Sequence, residues 1–194
     1  MIFFSVNKGL RLLGCGLLWL FFLSWFSCKE DASIRRRGYG RLPAFVSDTV
    51  WFVVENPAGT LPVMRYDPTS KGFRKAKARV SFLPLPANAG FIPREGEEDR
   101  RLWSNGLLLA EALPRGKVLK ALPLAVLKFR ESGKKRSLGI YIPLESSLRL
   151  LPVDDFSDFM IEGEAARRLL EVWFKNHLGY GRTELEGWVA PQGE

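Results

Sequence analysis

Cysteine and histidine are nearly missing from this chain: two cysteines and one histidine occur in 194 residues. Cys15 lies within an apolar leader, so a processed chain keeps Cys28 alone, no intrachain disulfide forms, and the fold must hold by packing. His177 falls on the edge of an apolar helical stripe, a place that a satisfied core histidine fills more often than a ligand or a base. Internal repeats and low-complexity tracts are also absent, which leaves one domain behind a short leader. Acids are in deficit, with 21 Asp and Glu against 29 Lys and Arg, for a net charge of +8. That excess suits an anionic membrane surface or a phosphate-bearing ligand, although solvated charge is the commoner meaning of such a balance. With 46% hydrophobic and 26% charged residues, the chain can bury one core of ordinary size.

Residues 1–27 read as an export signal. Lys8 and Arg11 make a short positive region, and residues 12–26 (LLGCGLLWLFFLSWF) carry no charge. Three fates stay open: cleavage before Cys28 with lipid added to that cysteine, retention of residues 10–27 as an anchor close to the roughly 20 residues that span a bilayer, or ordinary cleavage with Cys28 a bystander. Lipidation of Cys28 is preferred, because a cysteine that ends an apolar leader after the small Ser27 is a specific placement, although Trp25 and Phe26 depart from the usual lipobox. The expectation is a protein exported to the bacterial cell envelope and held to membrane lipid through Cys28. Residues 28–47 then form a polar linker, and residues 48–190 the folded domain.

The domain begins with the periodicity of strands. Residues 49–55 (TVWFVVE) are β-branched and aromatic and end at a Pro57-Ala58-Gly59 turn; residues 63–66 make a second strand and residues 67–72 (DPTSKG) a turn. Residues 74–83 alternate, with Lys75, Lys77 and Arg79 on one face and Ala76, Ala78 and Val80 on the other, so that the cationic face meets solvent or an anion. Further strands are expected at 82–93, at 106–111, at 117–129 with an interruption near Pro123, and at 138–142. The period then changes. A short capped helical turn is expected at 154–159, and Ala166, Leu169, Leu170, Trp173, Phe174 and His177 form one apolar stripe of a helix over 163–178. Residues 182–188 alternate as a final strand. These elements make a β-rich α+β domain, a small barrel or sandwich with a helix packed on it.

Four segments carry a recognisable pattern: Glu55-Asn56-Pro57-Ala58-Gly59-Thr60, residues 79–93 (RVSFLPLPANAGFIP), Leu113-Pro114-Arg115-Gly116-Lys117-Val118, and Glu184-Leu185-Glu186-Gly187-Trp188. In this order and spacing, over residues 49–189, the chain resembles the family I soluble inorganic pyrophosphatases. The resemblance implies an OB-like five-stranded β-barrel with helices outside, Mg²⁺-dependent hydrolysis of pyrophosphate, and a possible homo-oligomer. It also implies that Glu55 stands for an early active-site glutamate, Arg79 for a phosphate-binding arginine, and Arg65 with Asp67 for parts of a K-Y-E triplet.

The match breaks where the chemistry belongs. Splitting a phosphoanhydride with Mg²⁺ takes clustered carboxylates, because Mg²⁺ prefers oxygen ligands and the metals activate a water and neutralise the leaving phosphate. Counted back from Leu113-Pro114, the family's three loop aspartates fall on Arg100, Leu102 and Asn105. In the later hairpin, two aspartates and a lysine fall on Glu131, Arg136 and Leu138; a strand tyrosine falls on Ala89; and a tyrosine-lysine pair falls on His177 and Leu178. Arg100 and Arg136 thus put cations where metals belong. Arginine holds phosphate oxygens through a planar fork and stays charged, so such a pocket binds phosphate-type anions without hydrolysing them. Its candidate residues are Arg65, Arg79, Arg100 and Arg136.

The leading expectation is therefore a pyrophosphatase-like, lipid-anchored binding or structural protein with little or no hydrolysis and no assured cofactor. An active diphosphatase with a rearranged site is the alternative. Its Mg²⁺ would rest on Glu55, Asp67 and Glu131, joined by Glu97, Glu98 and Asp99 if their loop folds inward. Nucleic acid is not an expected partner: OB-like barrels do host it, but the basic strand belongs to the phosphate pocket and exported proteins seldom meet it.

Overall fold

The computed structural model describes residues 33–34, 38–43, 45–61, 63–76, 83–97, 99–177, 179 and 181–191. The leader, Cys28, Lys77, Arg79, Glu98 and Leu178 lie outside these residues. Among the described residues the chain forms strands β1 (Phe45–Val46), β2 (Thr49–Asn56), β3 (Met64–Asp67), β4 (Gly72–Lys75), β5 (Asn88–Ile92), β6 (Ser104–Leu108), β7 (Val118–Glu131), β8 (Lys134–Pro143) and β9 (Thr183–Val189). Two helices, α1 (Phe156–Ile161) and α2 (Glu164–Asn176), precede β9. No helix among the described residues is long and apolar enough to cross a membrane.

The barrel closes because β7 is long enough to be shared. Its first residues pair antiparallel with β2, almost its whole length pairs with β8, and its last residues also pair with β9. The circuit β2-β5-β6-β8-β7 returns to β2, so five strands close on themselves, with β6 and β8 the parallel pair. This is the OB-like five-stranded barrel that the sequence implies, and closure leaves those strands without an open edge. β1 and β9 extend the sheet beyond the barrel, and β3 and β4 form a separate hairpin.

Side-chain alternation fills the barrel. Val50, Phe52 and Val54 of β2 point into one cluster with Ile92, Leu108, Leu119 and Ala121. Leu124, Leu127, Ile140 and Ile142 join Phe159, Leu170 and Phe174 in the larger cluster beneath the helices. Gly106 and Gly139 are paired across the parallel strands, and a methyl group on either would come within 2.4 Å of the Tyr141 side chain. The two glycines therefore form the slot against which that ring lies. The β7–β8 hairpin turns through Ser132 and Gly133, both at positive φ (50° and 79°), the two-residue turn whose twist matches that of its strands.

Several sequence expectations shift. Pro123 does not interrupt β7; the ladder slips between Pro123 and Ala125, so the missing N–H is absorbed as a bulge in a continuous 14-residue strand. The strand expected at 82–93 is confined to Asn88–Ile92, because Pro84 and Pro86 offer no donors, and Leu85 instead exchanges backbone hydrogen bonds with Gly59 and Thr60. Leu169 is 57% exposed, and the buried stripe of α2 runs through Ala166, Leu170, Trp173 and Phe174. At 100° per residue Leu169 lies beyond the arc those residues span.

The linker boundary also moves. Residues 28–47 were expected to be a polar tether, yet Tyr39 is fully buried against Val53, Tyr66, Phe91 and Trp103, and β1 pairs with β2. The Tyr39 hydroxyl donates to the Gly116 carbonyl. An aromatic ring in a glycine-flanked segment was the available signal, since a solvated tether gains nothing from it.

Candidate functional site

Glu55 is the next-to-last residue of β2, with only 3% of its surface exposed. A buried carboxylate needs donors and counter-charge, and Glu55 has both. Its Oε1 accepts the Tyr66 backbone N–H at 2.7 Å, Arg100 Nη2 lies 3.5 Å from Oε1, and Arg65 Nη1 lies 3.6 Å from Oε2. Arg115 donates to the Glu55 carbonyl at 2.9 Å, fixing the strand end from below.

Arg100 is the unusual member. It begins a 3-10 turn (Arg100–Leu102) capped by the Asp99 side chain, and 14% of its own side chain is exposed. Its guanidinium lies 4.2 Å from the centre of the Phe91 ring, donates to Asn105 Oδ1 at 2.9 Å, and leaves Nε buried without a hydrogen-bond partner. Burial pushes its pKa below the usual arginine value, with Arg65 adding to the shift and Glu55 opposing it. It stays a cation all the same, because the delocalised guanidinium holds its proton throughout the physiological range. The aromatic floor under it is a nest of Tyr66, Phe91 and Trp103, with the Tyr66 and Trp103 rings stacked at 5.9 Å.

In front of this pair opens a cleft of about 450 Å³. Its lining combines the polar residues Glu55, Asn56, Arg65, Asn105, Glu131, Arg136 and Ser137 with the apolar residues Leu83, Leu85, Ala89, Leu107, Leu138, Phe129 and Phe174, and with Trp173 and His177 at the end of α2. Arg136 Nε lies 3.6 Å from Glu131 Oε2 across the β7–β8 hairpin. Arg65 and Arg136 remain 64% and 55% exposed, so both can turn their donors toward a bound anion.

The sequence-derived candidates separate into two groups. Arg65, Arg136, Glu55 and Glu131 share the cleft, and Arg100 backs it through Glu55 and Asn105. Asp67 does not line it. Its carboxylate closes the β3–β4 turn instead, accepting the Ser70 hydroxyl at 2.7 Å and pairing with Arg74 at 2.8 Å, contacts that hold it below the usual carboxylate range. Glu97 and Asp99 are also directed elsewhere: Glu97 accepts the Asp99 N–H, and Asp99 grips Arg101, whose hydrogen bonds hold its carboxyl down to about 2. With Glu95, Glu97 borders a second cavity of about 760 Å³, against Trp103 and Lys71. Among the described residues, Glu97 and Asp99 are thus not recruited inward to the cleft as a metal site. Arg79 lies outside the described residues.

Mg²⁺ demands several oxygens in near-octahedral array. Glu55 already faces two guanidinium groups and a backbone N–H, and Glu131 faces Arg136. Among the described residues no group of three or more His, Cys, Asp or Glu could hold a metal ion. The donor set does not fit Mg²⁺.

Two residues were given too little weight in the sequence. His177, expected in the core, is only partly buried; its ring lines the cleft and stacks on Trp173 at 4.7 Å, with Nδ1 against the Phe174 carbonyl at 2.7 Å. Trp173 donates from Nε1 to the Pro84 carbonyl at 2.7 Å and ties the helix end to the segment whose Leu83 and Leu85 line the cleft. Their spacing of four at a helix end was the readable signal.

No protein-family model matches the chain, and no curated protein matches it. Solved structures do. The inorganic pyrophosphatase from Thermus thermophilus superposes with a TM-score of 0.64 at 22% identity, covering 78% of this chain and 88% of that one. An inorganic pyrophosphatase from Neisseria gonorrhoeae gives 0.62 at 21% identity, covering 77% and 87%. The enzyme from Helicobacter pylori gives 0.58 at 18% identity, covering 75% and 86%. At such identities the likeness establishes the fold.

Proposed function

We propose that this chain, which has the fold of the inorganic pyrophosphatases, is an arginine-based binder of phosphate-type anions that has given up efficient pyrophosphate hydrolysis. The observation that carries the reading is the engagement of Glu55 by Arg100 and Arg65. A guanidinium beside that carboxylate supplies from the protein the positive charge that a metal would otherwise bring, and arginine holds phosphate oxygens without activating a water. Arg136, exposed beside Glu131, adds a second cation to the same cleft. A membrane anchor at Cys28 and a place in the bacterial envelope belong to the same proposal; they rest on the leader of residues 1–27 and on the net charge of +8.

Titration calorimetry of the full chain with pyrophosphate, with and without Mg²⁺, tests the anion site. The expected result is binding that Mg²⁺ does not strengthen and that Arg65→Gln combined with Arg136→Gln weakens at least tenfold, since two charge-assisted contacts are lost. Binding that appears only when Mg²⁺ is present would contradict the proposal.

A further inference from the structure

The lining of the cleft holds two kinds of residue, and pyrophosphate uses only the polar kind. Every surface of pyrophosphate is charged or polar oxygen. Beside Arg65, Arg136 and Asn105, however, the lining includes Leu83, Leu85, Ala89, Leu138, Trp173 and Phe174. Ala89 adds only a methyl group to that lining, and the cleft keeps about 450 Å³ of space. That size falls within the range of sites for small organic molecules, and the lining offers apolar and polar residues in nearly equal measure. Placing an inorganic anion there would leave the apolar lining against water, with no gain from its burial.

We infer that the cleft takes a phosphate monoester carrying an apolar or aromatic body: the phosphate on Arg65 and Arg136, the body against Ala89, Leu138 and Trp173. The inference rests on the anion-binding reading above and narrows it to a ligand class. Both cations suit the headgroup, since their pairs with Glu55 and Glu131 are each 3.6 Å, longer than a good hydrogen bond, and both side chains are more than half exposed. Arg100, buried behind Glu55, sets the local charge without touching the ligand.

Calorimetry of the full chain with inorganic phosphate, 1-naphthyl phosphate, 1-naphthol and a short-chain phosphatidic acid below its micelle concentration tests the inference. Burying about 60 Å² of apolar surface is enough for a tenfold gain in affinity. The expected result is naphthyl phosphate, phosphatidic acid or both binding at least tenfold tighter than phosphate, with naphthol weaker than either. Which of the two esters leads tells a soluble ligand from a lipid one. Ala89→Phe, which fills the space along the apolar lining, and Leu138→Asn, which adds no bulk, should each remove most of the preference while leaving phosphate affinity within about threefold; an unchanged melting temperature certifies their folding. Equal affinities for phosphate and both esters would overturn the inference and leave the anion-binding reading intact. If neither phosphate nor any ester binds, or naphthol binds as tightly as its phosphate, the anion-binding reading falls and the inference with it.

Discussion

Asn88→Leu is expected to destabilise the protein by about 4 kcal/mol, the net of four buried or part-buried backbone groups left unpaired at about 1–3 kcal/mol each, less what water restores to the part-buried ones. Asn88 is fully buried at the start of β5. Its Oδ1 accepts the N–H groups of Ala58 and Leu113 at 3.1 and 2.9 Å, and its Nδ2 donates to the carbonyls of Ala110 and Glu111 at 3.2 and 2.8 Å. One side chain therefore joins the turn after β2 to the crossing that follows β6, two loops that hold the barrel mouth. Leucine has nearly the same shape and none of the bonds. Against the roughly 5–15 kcal/mol of a typical domain this is a large fraction of total stability. Urea unfolding followed by tryptophan fluorescence measures it; a cost below about 1 kcal/mol would mean that the four backbone groups find other partners.

The second large effect is expected at Arg100. Arg100→Met should cost about 3 kcal/mol, the low end of what breaking a buried ion pair costs, because Arg65 stays within 3.6 Å of the carboxylate it leaves behind. The loss includes the contact with the Phe91 face at 4.2 Å. Glu55 and Arg100 are expected to be coupled: Glu55→Gln in the Arg100→Met background should cost at least 1 kcal/mol less than the two single effects add up to, since the neutral amide no longer needs the cation. Urea titrations of the four proteins give the coupling. Additivity within about 0.5 kcal/mol would show that the pair does not act as one unit.

The barrel was legible because its strands are written in alternating β-branched and aromatic residues with turn chemistry between them. Thr49–Asn56 begins where it was expected to, and the Ser132-Gly133 turn falls between two runs that pair across it. What was not legible depends on three-dimensional closure. Tyr39 reads as part of a tether until the Tyr66, Phe91 and Trp103 rings are known to surround its place. Asp67 looks like a ligand candidate in one dimension, yet Ser70 and Arg74 are nearer in the fold than the cleft is. Glu95, Glu97 and Asp99 behave likewise, turned to one another, to Arg101 and to the second cavity. Arg100 and Arg136 are cations at positions where the resemblance implies carboxylates; that Arg100 would be buried on Phe91 was beyond any spacing rule. His177 was misjudged because periodicity places a residue on a helix face but not at the lip of a cleft.

Phosphate release from pyrophosphate by the full chain, in the presence of Mg²⁺, Mn²⁺ or Zn²⁺, tests the central claim most directly. If arginines have replaced the metal ligands around Glu55, release should stay at the uncatalysed background with each metal and at each pH. Turnover on the order of 10 s⁻¹, that of an ordinary enzyme, would contradict the account.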